Sequence, residues 1–316
     1  MSIEGVTRKS LLSKKEQDNK YSVEGYGIDL DNKNDSHAII VNTTKDAKNV
    51  LDVGCGAGYI GAKLKTLGVK TVDGVEIDAE ARKQALKTYD TVESFSLDAS
   101  DGGKKYAEFV KSNKKYDFII FADILEHLVD PGRTLADFSK LLAKDGKIIV
   151  SIPNIGNIDV IIGLIEQRFN YTKTGILDST HLRFWTENSF YDFLDNVNEA
   201  FGLKLQAKLI AHTYARNETL DDGTFARIIG EDVNIFQNIF EIRRVESPHQ
   251  PRKRVRNYQK LSSYITNLEK TNTELAERLQ QKEKELDDLY NSRSWRVTAP
   301  LRKINRKIRK EHHEEN

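Results

Sequence analysis

Three glycines, at positions 54, 56 and 58, follow a short apolar run and lead into a stretch with a helical pattern, within NVLDVGCGAGYIGAKL at residues 49–64. Glycine allows the backbone to turn sharply and to come close to a ligand. The free N–H groups at the start of the following helix can bind an anionic group. These residue types at this spacing therefore predict a cofactor site in which Gly54, Gly56 and Gly58 cradle an anion.

Two adenosine cofactors fit the glycines alone, a nicotinamide dinucleotide and S-adenosylmethionine (SAM). Gly56, Gly58 and Gly61 match G-x-G-x-x-G, the pattern of dinucleotide sites, and Glu76 lies at about the right distance for a ribose contact. Glu76 ends the predicted strand TVDGVEID, and its two acceptor oxygens suit a vicinal diol with either cofactor. The anion in the cradle would be a pyrophosphate or the methionine carboxylate.

Asp52, two residues before the first glycine, favours SAM. The string VLDVGCGAGYIG resembles the first motif of class I SAM-dependent methyltransferases, and further resemblances follow in order to about residue 245. The resemblance implies that Asp52 and the three glycines bind SAM and that Glu76 receives both ribose hydroxyls. It also assigns Asp98, in FSLDAS, to the adenine amino group and Asp123, in YDFIIFADILEHLVDP, to the cofactor site.

Two histidines lie where a catalytic base would be needed. Methyl transfer is an in-line displacement, so the protein must align the acceptor, exclude water and, for an alcohol, help to remove its proton. Histidine suits that task because its pKa lies near neutrality. His127 follows the predicted fourth strand, at the edge where open α/β sheets bind ligands, and His181 lies in GILDSTHLRFWT. Each histidine is predicted to be catalytic, and packing or turn capping is the alternative.

A polar cluster beside aromatic residues surrounds His181 in the sequence. Asp178, Thr180, Arg183 and Trp185 are predicted to bind a sugar or a phosphorylated acceptor. The run from SIPN to LRFWT resembles the acceptor-side region of methyltransferases associated with bacterial polysaccharides and cell-envelope glycans. The alternative is a buried insert in which Asp178 and Arg183 form an ion pair.

Short apolar runs alternate with helical patterns around these residues. Five runs between residues 49 and 154 are typical of a parallel sheet with crossover helices. Two later runs, LKLQAKLIAH and NIFQNIFEIRRV, predict an antiparallel edge. The predicted fold is α/β and Rossmann-like, as in class I methyltransferases, with about seven strands in a mostly parallel sheet, helices on both faces and a C-terminal coiled-coil helix.

Composition divides the 316 residues into five segments. A polar stretch comes first, the catalytic domain follows, and a proline-containing charge cluster separates that domain from a polar heptad pattern and a basic end. The predicted segments are an N-terminal arm (1–47), the SAM-dependent methyltransferase domain (48–246), a linker (247–257), a coiled coil (258–291) and a basic amphipathic tail (292–316).

The heptad pattern predicts a partner for the C-terminal helix. Leucines occupy most d positions between residues 261 and 290, and Asn272 is the single asparagine at an a position, which favours a parallel homodimer. The segment 293–310 contains eight Arg and Lys, no acid and interleaved apolar residues including Trp295. It is expected to contact either an anionic membrane surface or a partner protein.

The composition restricts other partners. The 49 Lys and Arg balance the 48 Asp and Glu, so no nucleic-acid partner is expected. Cys55 is the only cysteine, which excludes an intrachain disulfide and favours a reducing compartment. Cofactor binding and helix capping account for the carboxylates near the cleft, so no metal is expected.

Because apolar runs of signal-peptide or transmembrane length are missing, the expected location is the cytoplasm, with peripheral contact at the inner membrane face.

These features together predict a SAM-dependent O-methyltransferase. The expected acceptor is a sugar or sugar phosphate of a surface polysaccharide or lipid-linked glycan. One alternative acceptor is a small metabolite of the quinone-precursor type. A second alternative is a non-catalytic SAM-binding scaffold in a polysaccharide assembly complex.

Overall fold

A computed structural model describes residues 27–215, 234–246 and 258–291. These ranges contain seven strands and eight α-helices. The strands are β1 (Asn49–Val53), β2 (Thr71–Val75), β3 (Thr91–Glu93), β4 (Tyr116–Ala122), β5 (Leu142–Pro153), β6 (Leu205–Tyr214) and β7 (Ile235–Arg244). The helices are α1 (Ser36–Thr44), α2 (Tyr59–Thr66), α3 (Ala79–Ala85), α4 (Ala99–Val110), α5 (Pro131–Ser139), α6 (Ile158–Ile165), α7 (Glu187–Phe201) and α8 (Tyr258–Asn291), and a 3-10 helix (Leu125–His127) follows β4.

The seven strands form one sheet in the order β3-β2-β1-β4-β5-β7-β6. The first five strands in this order are parallel to their neighbours, whereas β7 pairs antiparallel with both β5 and β6. The order reverses direction between β1 and β4, and such a switch point opens a crevice at the carboxyl ends of the strands. The predicted seven-stranded, mostly parallel sheet with an antiparallel edge is confirmed.

Both faces of the sheet are covered because the central strands are apolar on both sides. Along β4, Ile119 and Phe121 belong to one hydrophobic cluster and Ile120 belongs to the other. Successive side chains of a strand point to opposite faces, so the two clusters are the two sides of the sheet. A continuous apolar run such as FIIF therefore specifies a strand covered on both faces.

Polar residues at helix starts fix the loops around the crevice. The side chain of Asp78 accepts hydrogen bonds from the backbone N–H groups of Glu80 and Ala81, at the start of α3. Asp130 accepts from Arg133 N at the start of α5, where Pro131 fits the first turn. These caps set where the chain leaves the sheet and where each crossover helix begins.

Part of the predicted N-terminal arm belongs to the folded core. Ile28 and the α1 residues Ala38, Ile40 and Val41 are buried in one of the two hydrophobic clusters. The apolar island in an otherwise polar stretch is therefore the inner face of a helix that covers the sheet. Residues 1–26 of the predicted arm lie outside the described residues.

The helix α8 belongs to a separate compact unit. It spans 34 residues, and its side chains at Leu275, Leu279 and Leu286 are exposed. The predicted helix is present, whereas its pairing into a coiled coil stays a prediction. The predicted linker (247–257) and tail (292–316) lie outside the described residues. Within the described ranges, no helix has both the length and the apolarity needed to cross a membrane.

Candidate cofactor and acceptor site

The loop after β1 is built from glycine because its backbone adopts conformations that other residues avoid. Gly54, Gly56 and Gly58 have φ values of +71°, +55° and +90°. A side chain at Gly54 would also collide with Ile124, which follows β4. The backbone N–H of Gly54 donates to the carbonyl of Val75 at 2.8 Å, so the loop is tied to the end of β2.

The carboxylate of Glu76 joins this loop to the next one. Its Oε2 accepts from the backbone N–H of Gly56 at 2.8 Å, and its Oε1 accepts from the N–H of Asp78 at 2.7 Å. Burial raises the pKa of Glu76, and the two backbone hydrogen bonds oppose that rise. Because a carboxylate offers about four acceptor positions, two remain for the hydroxyls of a ribose.

A cleft of about 230 Å3 opens beside these groups at the carboxyl ends of the strands. Its walls combine apolar side chains, suited to a purine ring, with two carboxylates. It is lined by Gly54, Val75, Glu76, Ile77, Phe95, Ser96, Leu97, Asp98, Ile124, His127 and Leu128. Glycine backbone at one end and an acid for a diol in the middle fit an adenosine cofactor that carries a carboxylate.

Asp98 lies in the wall of the cleft, as the sequence requires for a contact with adenine. Its Oδ1 accepts from the backbone N–H groups of Val129 and Asp130, at 2.9 and 3.1 Å. The carboxylate is therefore anchored to the loop that follows His127. Contact with an adenine amino group stays a prediction for this residue.

Asp52 lies beneath the glycine loop rather than in the wall of the cleft. Its side chain is buried, and its Oδ2 accepts from the Tyr89 hydroxyl at 2.6 Å. The same hydroxyl accepts from the backbone N–H of Gly61 at 2.9 Å, so Asp52 and Tyr89 fix the start of α2. Burial raises the pKa of Asp52 to about 7. Asp52 thus supports the loop from below, and its direct contact with the cofactor stays a prediction.

Cys55 is packed within the same loop. Burial is the main cause that raises the pKa of its thiol, and the carboxylates of Asp52 and Glu76 raise it further. A thiol that stays protonated is a poor nucleophile. The structure therefore gives Cys55 a packing role.

Asp123 follows β4 directly and does not line the cofactor cleft. Both of its carboxylate oxygens accept from Nε2 of Gln237 at 2.8 Å, on the antiparallel strand β7. Its backbone has φ of +52°, and its N–H donates to Ser151. Gln237 therefore holds the Asp123 carboxylate, and the predicted contact of Asp123 with the cofactor stays a prediction.

His127 and His181 come together although 53 residues separate them. Their ring centroids are 4.7 Å apart and the rings meet edge to face. His127 ends the 3-10 helix and lines the cofactor cleft, whereas His181 is buried behind it. The two sequence-predicted bases thus form one pair beside the cofactor cleft.

Backbone hydrogen bonds bring the two histidines together. The N–H groups of Leu182 and Arg183 donate to the carbonyl of Glu126, at 2.7 and 3.1 Å. This holds the chain around His181 against the 3-10 helix that carries His127. Nδ1 of His181 lies 2.9 Å from the carbonyl of Ile176.

Thr180 and Asp178 support His127. The Thr180 hydroxyl donates to Asp178 Oδ1 at 2.7 Å and lies 3.0 Å from His127 Nδ1. The Asp178 carboxylate also accepts from the N–H of Thr180 at 2.8 Å. Two of the predicted acceptor residues therefore orient a histidine, and a direct contact with the acceptor stays a prediction.

The other two predicted acceptor residues have different positions. Arg183 is exposed, and its Nη2 donates to the carbonyl of Val129 at 2.6 Å, beside the cleft. Trp185 is only 7% exposed and packs against Phe190 and Phe193 in the core. This burial argues against the predicted contact between Trp185 and the acceptor, because the core already occupies its ring.

Sequence reasoning missed Glu126, which lies between the cofactor cleft and His181. Its side chain is 1% exposed, and burial raises its pKa well above the usual range. The nearby carboxylates of Asp123 and Asp178 act in the same direction. One feature of the sequence could have pointed to Glu126: it is an acid flanked by apolar residues in DILEHL, directly before a candidate catalytic histidine.

Comparison with known proteins identifies the domain. A family described as a methyltransferase domain matches residues 29–207, more than half of the chain. A ubiquinone biosynthesis O-methyltransferase from Glaesserella parasuis is 28% identical over 111 residues, which are 34% of this chain and 46% of that protein. A probable S-adenosylmethionine-dependent methyltransferase from Mycobacterium tuberculosis is 30% identical over 108 residues, 34% of this chain and 36% of that protein.

The chain thus spans about half or less of the length of these two curated relatives. Among solved structures, a SAM-dependent methyltransferase from Archaeoglobus fulgidus is 18% identical, with a TM-score of 0.43 over 66% of this chain and 95% of that one. The magnesium protoporphyrin IX methyltransferase of Synechocystis, solved with bound SAH, is 15% identical, with a TM-score of 0.41 over 66% and 78% of the two chains.

The chain belongs to the methyltransferase-domain family. Residues 29–207 of this chain are therefore a methyltransferase domain. Gly54, Glu76 and Asp98 are residues of this chain that would hold SAM, because they line one cleft and supply a glycine backbone and two carboxylates.

Proposed function

We propose that this protein is a SAM-dependent O-methyltransferase whose acceptor hydroxyl binds beside His127 and His181. The observation that carries the proposal is the edge-to-face histidine pair, with centroids 4.7 Å apart, at the wall of the cofactor cleft. Bound SAM supplies an electrophilic methyl group on a sulfonium. An alcohol must lose its proton to become a good nucleophile for that methyl group, and imidazole is suited to accept it.

The neighbours of His127 favour the tautomer that can act as a base. The Thr180 hydroxyl gives its proton to Asp178, so its oxygen accepts from His127 Nδ1–H. The carbonyl of Thr180, at 3.3 Å, can also only accept from Nδ1. In the neutral ring, Nε2 then carries the lone pair. Asp178 and Thr180 therefore position His127 for proton transfer.

We propose a sugar or sugar phosphate of a surface polysaccharide or lipid-linked glycan as the acceptor. Phe169, Tyr171 and Phe184 contact one another through their rings, and Phe184 also contacts His181. Phe169 and Tyr171 are more than a third exposed. Flat aromatic faces next to polar groups suit sugar rings, which have apolar C–H faces and hydroxyl edges. The resemblance of residues 151–186 to glycan methyltransferases supports the same class.

A phenolic quinone precursor is the second candidate acceptor. Curated relatives from several bacteria are named ubiquinone biosynthesis O-methyltransferases. The exposed aromatic faces would also stack on a phenol ring. The two candidates therefore predict methylation of different molecules, a glycan in the first case and a phenol in the second.

Methyl transfer from labelled SAM to two acceptor fractions distinguishes them. The first fraction is envelope glycan and lipid-linked sugar from cells that lack the protein, and the second is a polyprenyl catechol. We expect label in the glycan fraction, and mass spectrometry of envelope glycans from these cells should show one missing methyl group. Label in the catechol alone would overturn the glycan assignment. SAM binding without transfer to either fraction would favour a scaffold.

We also propose that α8 pairs with a second copy of the chain as a parallel coiled coil. Exposed Leu275, Leu279 and Leu286 lie at seam positions of the heptad pattern. Light scattering on the full chain should give a dimer, and Leu279→Glu should give a monomer. Glu283→Gln, away from the seam, should stay dimeric.

The basic tail at 293–310 is proposed to contact an anionic membrane surface, and flotation with anionic and neutral vesicles tests this contact.

A further inference from the structure

Glu126 is a buried acid that the proposed proton transfer does not use. Its side chain is 1% exposed, and neither carboxylate oxygen has a hydrogen-bond partner among the described residues. A buried polar group without a partner is costly, and a buried carboxylate is usually paired or bound to a metal. The missing partner of Glu126 therefore points to a ligand.

Two imidazoles lie beside this carboxylate. One ligand atom each from Glu126, His127 and His181 lie within 4.8 Å of one another. Two metal bonds of about 2.1 Å span at most about 4.2 Å across one ion, so small rotations of the side chains close the three atoms around it. Two imidazoles and one carboxylate form a known donor set for divalent transition metals.

Both imidazoles are oriented as metal ligands usually are. Nδ1 of His181 lies 2.9 Å from the carbonyl of Ile176, which can only accept a hydrogen bond. Nδ1 of His127 has the carbonyl and hydroxyl of Thr180 as acceptors. In protein metal sites, a histidine commonly donates one ring N–H to a carbonyl while the other nitrogen binds the ion. A carbonyl at Nδ1 of each ring is the arrangement in which the other ring nitrogen, Nε2, binds an ion.

We propose that Glu126, His127 and His181 bind one divalent transition-metal ion of the Zn2+ type at the acceptor end of the cofactor cleft. His127 lines the cofactor cleft, and its ring meets that of the buried His181 edge to face. An ion bound by both histidines would therefore lie beside the cleft. Three protein ligands leave at least one coordination position for another molecule. The proposal revises the expectation from sequence that no metal is involved.

The role of the ion rests on the proposed O-methyltransferase function. An acceptor hydroxyl in the open position would lose its proton more readily, since a bound divalent ion lowers the pKa of a coordinated O–H. That proton passes to solvent water. With the ion present, Nε2 of His127 and of His181 are ligands, and the metal replaces them in activating the hydroxyl.

Calorimetric titration of the chelator-stripped full chain with Zn2+ tests the site. Tail residues His312 and His313 supply other imidazoles, so the titration is done on the His312→Ala, His313→Ala double variant. We expect one Zn2+ per chain in that background, with binding weakened at least 100-fold by Glu126→Gln or by His181→Ala. His212→Ala, in a half-buried histidine of β6, should bind Zn2+ normally. Equal affinity in all these proteins, or no binding in the double variant, would overturn the proposal.

Thermal unfolding separates loss of a ligand from loss of the fold. Glu126→Gln removes a buried acid that lacks a partner, so the metal-free variant should melt no lower than the metal-free parent. Zn2+ should raise the melting temperature of the parent and not that of Glu126→Gln, because only binding to the folded state stabilises it. An equal rise in both proteins would contradict the assignment of Glu126.

Methyl transfer from labelled SAM to the acceptor, measured on the same proteins, distinguishes the metal site from the proposed function. If Zn2+ binds as expected and no acceptor is methylated, the site stands and the O-methyltransferase proposal fails. If methylation of the acceptor continues unchanged in excess EDTA and Zn2+ does not bind, the metal site fails and the methyltransferase proposal stands.

Discussion

The cofactor end and the acceptor end of the cleft differ in how their buried polar groups are satisfied. At the cofactor end, Glu76 and Asp98 each accept two backbone N–H groups. At the acceptor end, Glu126 is buried with no partner for its carboxylate among the described residues. The protein itself thus supplies hydrogen-bond donors to the carboxylates of Glu76 and Asp98, whereas the carboxylate of Glu126 is proposed to be satisfied by a bound ion.

The difference follows from what holds each end together. The cofactor end lies on loops that leave β1 and β2, which are adjacent parallel strands. The positions of the groups at the cofactor end are therefore set mainly by the backbone of these two loops. The acceptor end joins the loop after β4 to the segment around His181, and side-chain contacts supplement the two backbone hydrogen bonds there. Changes at the acceptor end should affect chemistry, and changes at the cofactor end should affect SAM binding.

Replacement of His181 should have the largest effect. We expect His181→Ala to lower turnover by about 100-fold, the lower range for loss of proton-transfer assistance, while the Kd for SAM stays unchanged. Steady-state rates and calorimetry on the same preparations measure the two quantities. His212→Ala is the control and should retain turnover. Equal losses of turnover and SAM affinity would show that His181 serves the fold.

Gly54→Ala should weaken SAM binding by about 30-fold, or about 2 kcal/mol, because the φ of +71° is strained for alanine and its Cβ meets Ile124 at the cleft. The control is Gly68→Ala, since Gly68 has φ of +92° with no atom within 4 Å of an added Cβ. That variant should lose stability and keep its SAM affinity. Equal affinities for Gly54→Ala and Gly68→Ala would contradict a close approach of the cofactor at Gly54.

Glu76→Ala should raise the Kd for SAM about tenfold, equivalent to about 1.4 kcal/mol, by removing charge-assisted hydrogen bonds to the ribose. Glu80→Ala, on the exposed start of α3, is the matched control and should leave the Kd unchanged. Calorimetry measures both values. An unchanged Kd in Glu76→Ala would remove this residue from the SAM site.

Asp52 should affect the pH dependence of stability with little direct effect on chemistry. Its pKa rises from 3.8 to about 7 on folding, so the folded protein retains a proton that the unfolded chain has lost between those values. The free energy of unfolding should therefore fall as the pH rises through this window, by at most about 1.4 kcal/mol per pH unit. Urea unfolding of the wild type and of Asp52→Asn measures it, and parallel pH profiles would contradict the assignment.

The sequence was most informative where one local pattern specifies one local structure. All seven strands coincide with apolar runs, and the antiparallel edge was expected because its two runs are close in the chain. Gly54, Glu76 and Asp98 line one cleft because carboxyl ends of neighbouring parallel strands share an edge. Once the order of the strands in the sheet is known, the loops at the carboxyl ends of adjacent parallel strands can be placed next to each other.

The sequence was least informative for side chains whose surroundings come from other elements of the fold. Trp185 looked like an acceptor residue and is core, because Phe190 and Phe193 of the next helix pack on it. Asp123 looked like a cofactor residue and is held by Gln237 of the last strand. Composition does not reveal either contact.

The sequence by itself determined a SAM-dependent methyltransferase domain, its order of strands and helices, and the glycine turn with an acid after the second strand. These features depend on residue type and short spacing, which fix backbone conformation locally. Only the tertiary structure decided that Asp52 supports the loop from below and that His127 and His181 share one site with Glu126. Burial and side-chain pairing depend on the packing of elements that are not adjacent in the chain, and no local pattern contains that information.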